Sequence, residues 1–279
     1  MNLIKSLFIS LLILVLIYTN GILLDNILKQ GLDKYSIALA LISLPLLLFF
    51  SIVMILQNTP RTSQFLNPVI ASMAAGIIVF IYLWLNDMPD MQNGHYYHYL
   101  AIINILLFAL YSTWYSSLNS REKNQLNVGN KLPSFVLYHK DKAINSLDAI
   151  DEGRVFLFYR GNWCPFCVAQ IKELVKYYQS AINSGIEFIM VSPQPDSKSQ
   201  ALAKKFDVSF IFATDRNNQA AIKLGILHQF GLPMGMQVLG YQKDTPFPTV
   251  IRVDKEGYIT FIDQTDNYRI RPSPDKFAT

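Results

Sequence analysis

Residues 154–167, RVFLFYRGNWCPFC, decide the fold. The first part, RVFLFY (154–159), is a continuous run of apolar, β-branched and aromatic residues, the pattern of a strand buried on both faces. A polar loop, Arg160-Gly161-Asn162-Trp163, follows it. From 164 to 182, Val168, Ile171, Leu174, Val175 and Tyr178 then recur at three-to-four spacing and predict an amphipathic helix. Cys164 and Cys167 are the only cysteines in the 279 residues. A secreted disulfide scaffold and a four-thiolate zinc site are therefore excluded, because nothing else can pair or ligate. What remains is a redox dithiol or a chance pair, and position favours the dithiol. At a helix N-terminus, free N–H groups favour a thiolate on an exposed Cys164. Cys167, one turn further in and buried, is placed to close a ring with it.

Working outward, strands are expected at 133–138, 187–192 and 209–213, and a helix at 197–206 with Asp196 as its cap. Asp215 is placed to cap a short helix that ends before Gly225. Residues 249–253 and 258–263 read as a hairpin turned by Asp254-Lys255-Glu256-Gly257. Strands alternating with helices predict a mixed α/β sheet covered by helices.

The N-terminal half is built differently. Residues 1–118 hold only four basic side chains (Lys5, Lys29, Lys34, Arg61) and four acidic ones (Asp25, Asp33, Asp87, Asp90). The other 20 basic and 16 acidic groups lie in 119–279, so the whole net charge of +4 sits there. Four apolar stretches, about 6–24, 36–57, 66–85 and 99–118, are each long enough to cross a bilayer as a helix of roughly 20 residues. Lys5 before an apolar core suggests a signal peptide. That core is too long, and no small-residue cleavage site follows it, so a retained span is expected. The organisation read here is a four-span region over 1–118, a polar linker at 119–131 and a redox domain over 132–279. A single soluble domain and a transporter filling the whole chain are both excluded. Without a basic run, nucleic-acid binding has no electrostatic support.

On one side of the spans lie Lys5, Arg61, Arg121 and Lys123, and on the other only Lys29 and Lys34. The positive-inside rule then places the redox domain in the cytoplasm, with the periplasm as the alternative. The spans carry no cysteine and no ionisable residue near their centres, so neither a thiol relay nor an ion path is expected in them. Ala71, Ser72, Ala74, Ala75 and Gly76 form a small-residue face suited to close helix packing. Pro45 is expected to kink the second span. His95 and His98 stand one turn apart, but among Tyr96, Tyr97 and Tyr99 they read as part of an interfacial aromatic belt. No metal site is expected.

With these residues in hand, Trp-Cys-Pro-Phe-Cys after an apolar strand resembles the thioredoxin superfamily. The fuller FYRGNWCPFC, with VGNKLPSFVL before it and FPTVIRVDKEGYI late in the chain, resembles the redoxin, peroxiredoxin-like branch over about 128–265. The resemblance implies a thioredoxin fold after the four spans, and a bacterial inner-membrane location. It implies a Cys164–Cys167 redox disulfide and no other cofactor. It gives Cys164 as nucleophile and Cys167 as resolving cysteine, with Trp163, Pro165, Phe166, Phe247, Pro248 and Thr249 receiving substrate. A cis bond is implied before Pro248, with Pro246 as the competing position. Its partners would be a protein or small-molecule disulfide, or a hydroperoxide, and a thioredoxin-like electron donor.

Two departures bear on the reaction. In the peroxiredoxin pattern Cys164 takes the place of a Thr or Ser, Cys167 that of the peroxidatic cysteine, and Pro248 that of an Arg. Both peroxide-polarising groups are thus missing from their usual places, with Arg160 either a substitute or a solvated loop residue. Thiol–disulfide exchange is therefore the first reading and peroxide reduction, by Cys167 or Cys164, the second. A tethered binding module without turnover is the third. Phe158 replaces the buried acid that many thioredoxins carry, so proton transfer to Cys167 must use water or another group. The Pro-Phe pair resembles the Pro-Tyr of glutaredoxins, whose potentials are roughly −200 to −230 mV.

Overall fold

A computed structural model of the protein describes residues 2–86, 91–118, 126–149, 152–180, 185–206 and 209–278. Apolar length builds its first four elements, α1 (Asn2–Gln30), α2 (Lys34–Leu56), α3 (Asn67–Asn86) and α4 (Met91–Ala109). All four are long and apolar enough to cross a membrane, the last counted from Tyr96 to Tyr115 because a π-helical turn, Leu110–Tyr115, continues α4. Helix α1 outruns the expected 6–24 because its polar end still makes helical pairs; Lys29 Nζ lies 2.8 Å from Asp25 Oδ2 at i,i+4. The Asp33 carboxylate starts α2 by accepting from the N–H groups of Tyr35 and Ser36.

The chain divides into two compact units, one comprising Leu7–Leu56 with Thr62–Ser117 and the other Met1–Ser6, Gln57–Arg61 and Leu118–Thr279. Inside the helical unit, the small-residue face of α3 packs as its composition suggested. A Cβ on Gly76 would come within 2.8 Å of Ala38 O on α2, and Ser72 Oγ donates to Leu41 O at 2.8 Å. Leu14, Ile55 and Ile78 point outward instead, as lipid-facing positions do. The His98 ring packs against Phe80, with centroids 4.9 Å apart, in the expected aromatic setting. The His95 side chain lies outside the described residues.

In the α/β unit the strands are β1 (Val136–His139), β2 (Lys142–Asn145), β3 (Gly153–Phe158), β4 (Glu187–Ser192), β5 (Ile211–Thr214), β6 (Leu227–His228), β7 (Thr245–Pro246), β8 (Thr249–Asp254) and β9 (Ile259–Asp263). Seven of them form one sheet in the order β2-β1-β5-β4-β3-β8-β9, while β6 and β7 pair separately. Strand β3 is parallel to β4, antiparallel to β8, and buried at every residue, which is why it reads as an unbroken apolar run. Its one charged residue, Arg154, is satisfied by Glu187 and by the carbonyls of Asn145 and Ser146. Phe135, Phe156, Phe158, Ile189, Val191 and Ile251 pack among the residues of the core.

Helices α5 (Pro165–Ser180), α6 (Asp196–Phe206) and α7 (Gln219–Lys223) complete the unit. Asp215 acts as expected: its carboxylate accepts from the N–H groups of Ala220 and Ala221, both at 2.9 Å, and Gly225 follows α7 in the left-handed conformation at φ +66°. Asp196 does not act as the cap of α6. The N–H groups of Lys198 and Ser199 both reach Pro195 O, so the helix begins one residue earlier and Asp196 lies inside its first turn. The bond before Pro248 is also a correction, since every described peptide bond is trans. Phe247 N–H donates to Ile226 O at 2.7 Å and Thr249 pairs with Phe158, so the chain enters β8 extended through Pro248. Proline at the first turn into a strand loses no ladder bond.

Candidate active site

Strand β3 ends at Phe158 and delivers Tyr159 and Arg160 to the mouth of the sheet. Gly161, at φ +146°, turns the chain; a Cβ there would meet the Trp163 indole at 2.6 Å, so only glycine lets the ring fold back. Cys164 N–H then donates to Gly161 O, and Cys164 O accepts from the N–H groups of Cys167 and Val168 to open α5. Pro165 stands at the first helical position, where its missing N–H is not needed. The two sulfurs are thereby brought to 2.7 Å, within hydrogen-bonding contact.

Cys164 is not exposed. Both cysteines are 1% accessible, because the Gly161 turn tucks Cys164 beneath the loop. Asn162, Trp163 and Pro165 are half-buried at the surface, while Phe166 is buried against Tyr268 with rings 5.6 Å apart. Phe247, Pro248 and Thr249 are buried too; the Phe247 ring stacks on His228 at 4.5 Å, and the Phe158–Thr249 pair sets the start of β8 beside the end of β3.

The electrostatics also depart from expectation. Burial pushes the Cys164 thiol up well above its ordinary value, reinforced by Cys167 and opposed by Arg160 and Arg271. Burial also penalises a Cys167 thiolate, but the Cys164 thiol, the Arg271 guanidinium, the Arg160 N–H and the Arg160 guanidinium overcome it and hold Cys167 at about 6. These directions favour Cys167 over Cys164 as the thiolate of the pair.

Arg160 is not a solvated loop residue. It is buried, its guanidinium lies 4.7 Å from the Trp163 ring and 5.8 Å from Tyr268, and it donates to Gly231 O. Sequence reasoning missed three further contributors. Gln194, after β4, accepts from Asn162 N–H at 2.8 Å and donates to Tyr159 OH and Ser199 Oγ, so it ties the loop to the sheet. Tyr241 OH donates to Asn162 Oδ1 at 2.6 Å. Arg271 arrives from the C-terminal segment, and its only visible signal was two arginines in the short run YRIRP (268–272). Among the described residues, no group of three or more potential metal ligands occurs.

The Redoxin family profile matches residues 127–276. Curated relatives include the thiol-disulfide oxidoreductase ResA of Geobacillus thermodenitrificans, 26% identical over 160 residues that cover 57% of this chain and 81% of the relative. The thiol-disulfide oxidoreductase ResA of Bacillus anthracis is 25% identical over 170 residues, covering 61% and 87%. Among solved structures, a peroxiredoxin-like protein from Aquifex aeolicus aligns with a TM-score of 0.45 at 20% identity, covering 55% of this chain and 85% of that one.

Proposed function

The chain belongs to the Redoxin family, and on that premise we propose that it is a membrane-anchored thiol–disulfide oxidoreductase working through Cys164 and Cys167. The observation that carries this reading is the sole cysteine pair of the chain, held 2.7 Å apart where a buried strand meets a helix. Cys164 attacks a substrate disulfide as its proton passes to the Cys167 thiolate, which answers the lack of a buried acid at Phe158. The substrate S–S bond breaks, and the departing thiolate takes up that proton. Cys167 then attacks the Cys164 sulfur, the second substrate sulfur leaves as a thiolate that takes its proton from solvent, and two electrons have moved from the dithiol to the substrate. A thioredoxin-like dithiol would return them. In this reading the half-buried Trp163 and Pro165 meet substrate, the buried Phe166, Phe247, Pro248 and Thr249 support them from beneath, and no cofactor beyond the disulfide is used.

A second reading, hydroperoxide reduction at Cys167, is favoured by its low pKa and by the two guanidiniums acting on it. The Cys167 thiolate would attack the O–O bond to leave a sulfenic acid, and the departing alkoxide or hydroxide would take a proton from solvent. Cys164 would then expel water from that and form the disulfide. The detergent-solubilised full chain, reduced and mixed separately with a protein disulfide and with hydrogen peroxide, tests the choice. The first reading expects rapid loss of the protein disulfide and oxidation by peroxide at least a hundredfold slower; the reverse order selects the second. No turnover with either leaves the tethered binding module.

The four apolar helices are read as spans of a bacterial inner membrane, with the redox domain, 132–279, carried on the 119–131 linker at the cytoplasmic face. A C-terminal green fluorescent fusion is expected to glow and a C-terminal alkaline phosphatase fusion to stay inactive. The opposite pair of results would place the domain in the periplasm.

A further inference from the structure

Arg271 is 3% exposed, yet among the described residues its Nε and Nη2 atoms have no hydrogen-bond partner, while Nη1 donates to Ile270 O at 3.0 Å. An arginine does not shed its proton, so this is a permanent charge held in a poorly solvated place. The segment that carries it is fixed against α5 by the Tyr268–Phe166 contact, and its guanidinium acts on both sulfurs. The other groups acting on Cys167 are Cys164, one turn earlier, and Arg160, in the loop before α5; Tyr159, at the end of β3, faces it as a neutral phenol. Among the described residues no carboxylate is among the groups acting on Cys167. The Glu173 carboxylate of α5 is taken up by Arg61, which also donates to Arg271 O, and the Cys167 thiolate is the anion on which the Arg271 guanidinium acts.

We propose that Arg271 is a positioning residue that sets the redox poise of the dithiol, by giving its buried charge a counterion only in the reduced state. The inference rests on the dithiol reading above. When Cys164 and Cys167 join, two electrons leave, the Cys164 proton is released and the thiolate charge disappears. Arg271 is then left facing a neutral disulfide with two unpaired donors. The reduced form is stabilised and the oxidised form is not, so the pair is a stronger oxidant than it would be without Arg271.

The pH dependence has a definite sign. Reduction takes up two protons where Cys167 is a thiol but only one where it is a thiolate. Glutathione, with an ordinary thiol pKa near 8.5, takes up two in the neutral range. Measured against glutathione, the reduced form therefore gains tenfold per pH unit above the Cys167 pKa and is flat below it.

The test uses the full chain in detergent, followed by thiolate absorbance near 240 nm against pH and by equilibration with glutathione buffers. Wild type is expected to show a thiolate that titrates below pH 7, retained in Cys164→Ser and lost in Cys167→Ser. Arg271→Gln is expected to raise that titration by at least one pH unit and to lower the reduced fraction relative to the oxidised one at least tenfold at pH 7.5. Arg271→Lys is expected to keep the titration below pH 7. A folded Arg271→Gln with both readouts unchanged overturns the proposal. So does a wild-type protein with no thiolate below pH 7.5, which needs no Arg271 variant to fold. Neither readout requires turnover. Failure of disulfide exchange with an Arg271-dependent titration counts against the function alone, and exchange without that dependence counts against this inference alone.

Discussion

Cys164→Ser abolishes disulfide reduction by the full chain, with a loss of at least about a thousandfold, and forms no mixed disulfide with a protein substrate. The attacking sulfur is gone, and serine oxygen cannot replace it because thiolate nucleophilicity is what drives exchange. Cys167→Ser loses turnover to the same degree, but for another reason. Its Cys164 still reaches the substrate, yet no second sulfur resolves the product, so a mixed disulfide accumulates and is visible by non-reducing electrophoresis. Removal of Cys167 also removes the base 2.7 Å away that receives the Cys164 proton, so trapping is slow at pH 7 and accelerates as pH rises toward the raised pKa of Cys164. The reverse pattern, with the mixed disulfide trapped by Cys164→Ser and absent from Cys167→Ser, would make Cys167 the attacking residue.

The second large effect is on stability. Phe156 is fully buried in the middle of β3, 5.2 Å from the Phe135 ring and opposite Ile251 of β8. Its truncation in Phe156→Ala is expected to cost about 3–5 kcal/mol, because the lost transfer energy is joined by a cavity that a central strand cannot collapse to fill. Pulsed amide exchange of the β3 and β8 peptides during heating measures this in the full chain. A transition unmoved by the substitution would mean that β3 does not organise the sheet. The cysteines sit at the exit of the same strand, so the stability loss should also bring earlier thermal loss of the low-pH thiolate.

The parts of the fold legible beforehand are those in which a local pattern and a tertiary role coincide. VFLFY (155–159) is apolar throughout because β3 has a strand on each side and is buried at every residue. The 249–263 hairpin announces itself through Gly257, and α7 through Asp215 and Gly225. Strand β2 went unseen because Lys142–Asn145 is short and partly exposed, and its turn uses Lys140 and Asp141 at positive φ in place of the usual glycine or asparagine. The two-residue pair β6 and β7 has no periodicity to read. The side chain of Asp196 suits a cap, whereas the helix takes Pro195 O as its first acceptor and so starts at a position that composition does not mark.

What the sequence determined by itself is the division into a charge-poor, four-helix region and an α/β domain, and the position of a lone Cys-Pro-Phe-Cys pair at a strand–helix junction. These follow from residue type and local spacing, which are properties of contiguous chain. The distribution of charge within the pair was decided by tertiary structure alone. Helix position favours a thiolate on Cys164, but folding buries both sulfurs, points the Arg160 N–H at Cys167, and carries Arg271 to them from more than a hundred residues away. Electrostatic interaction depends on distance in space and on local dielectric, and neither is written in the separation of residues along the chain.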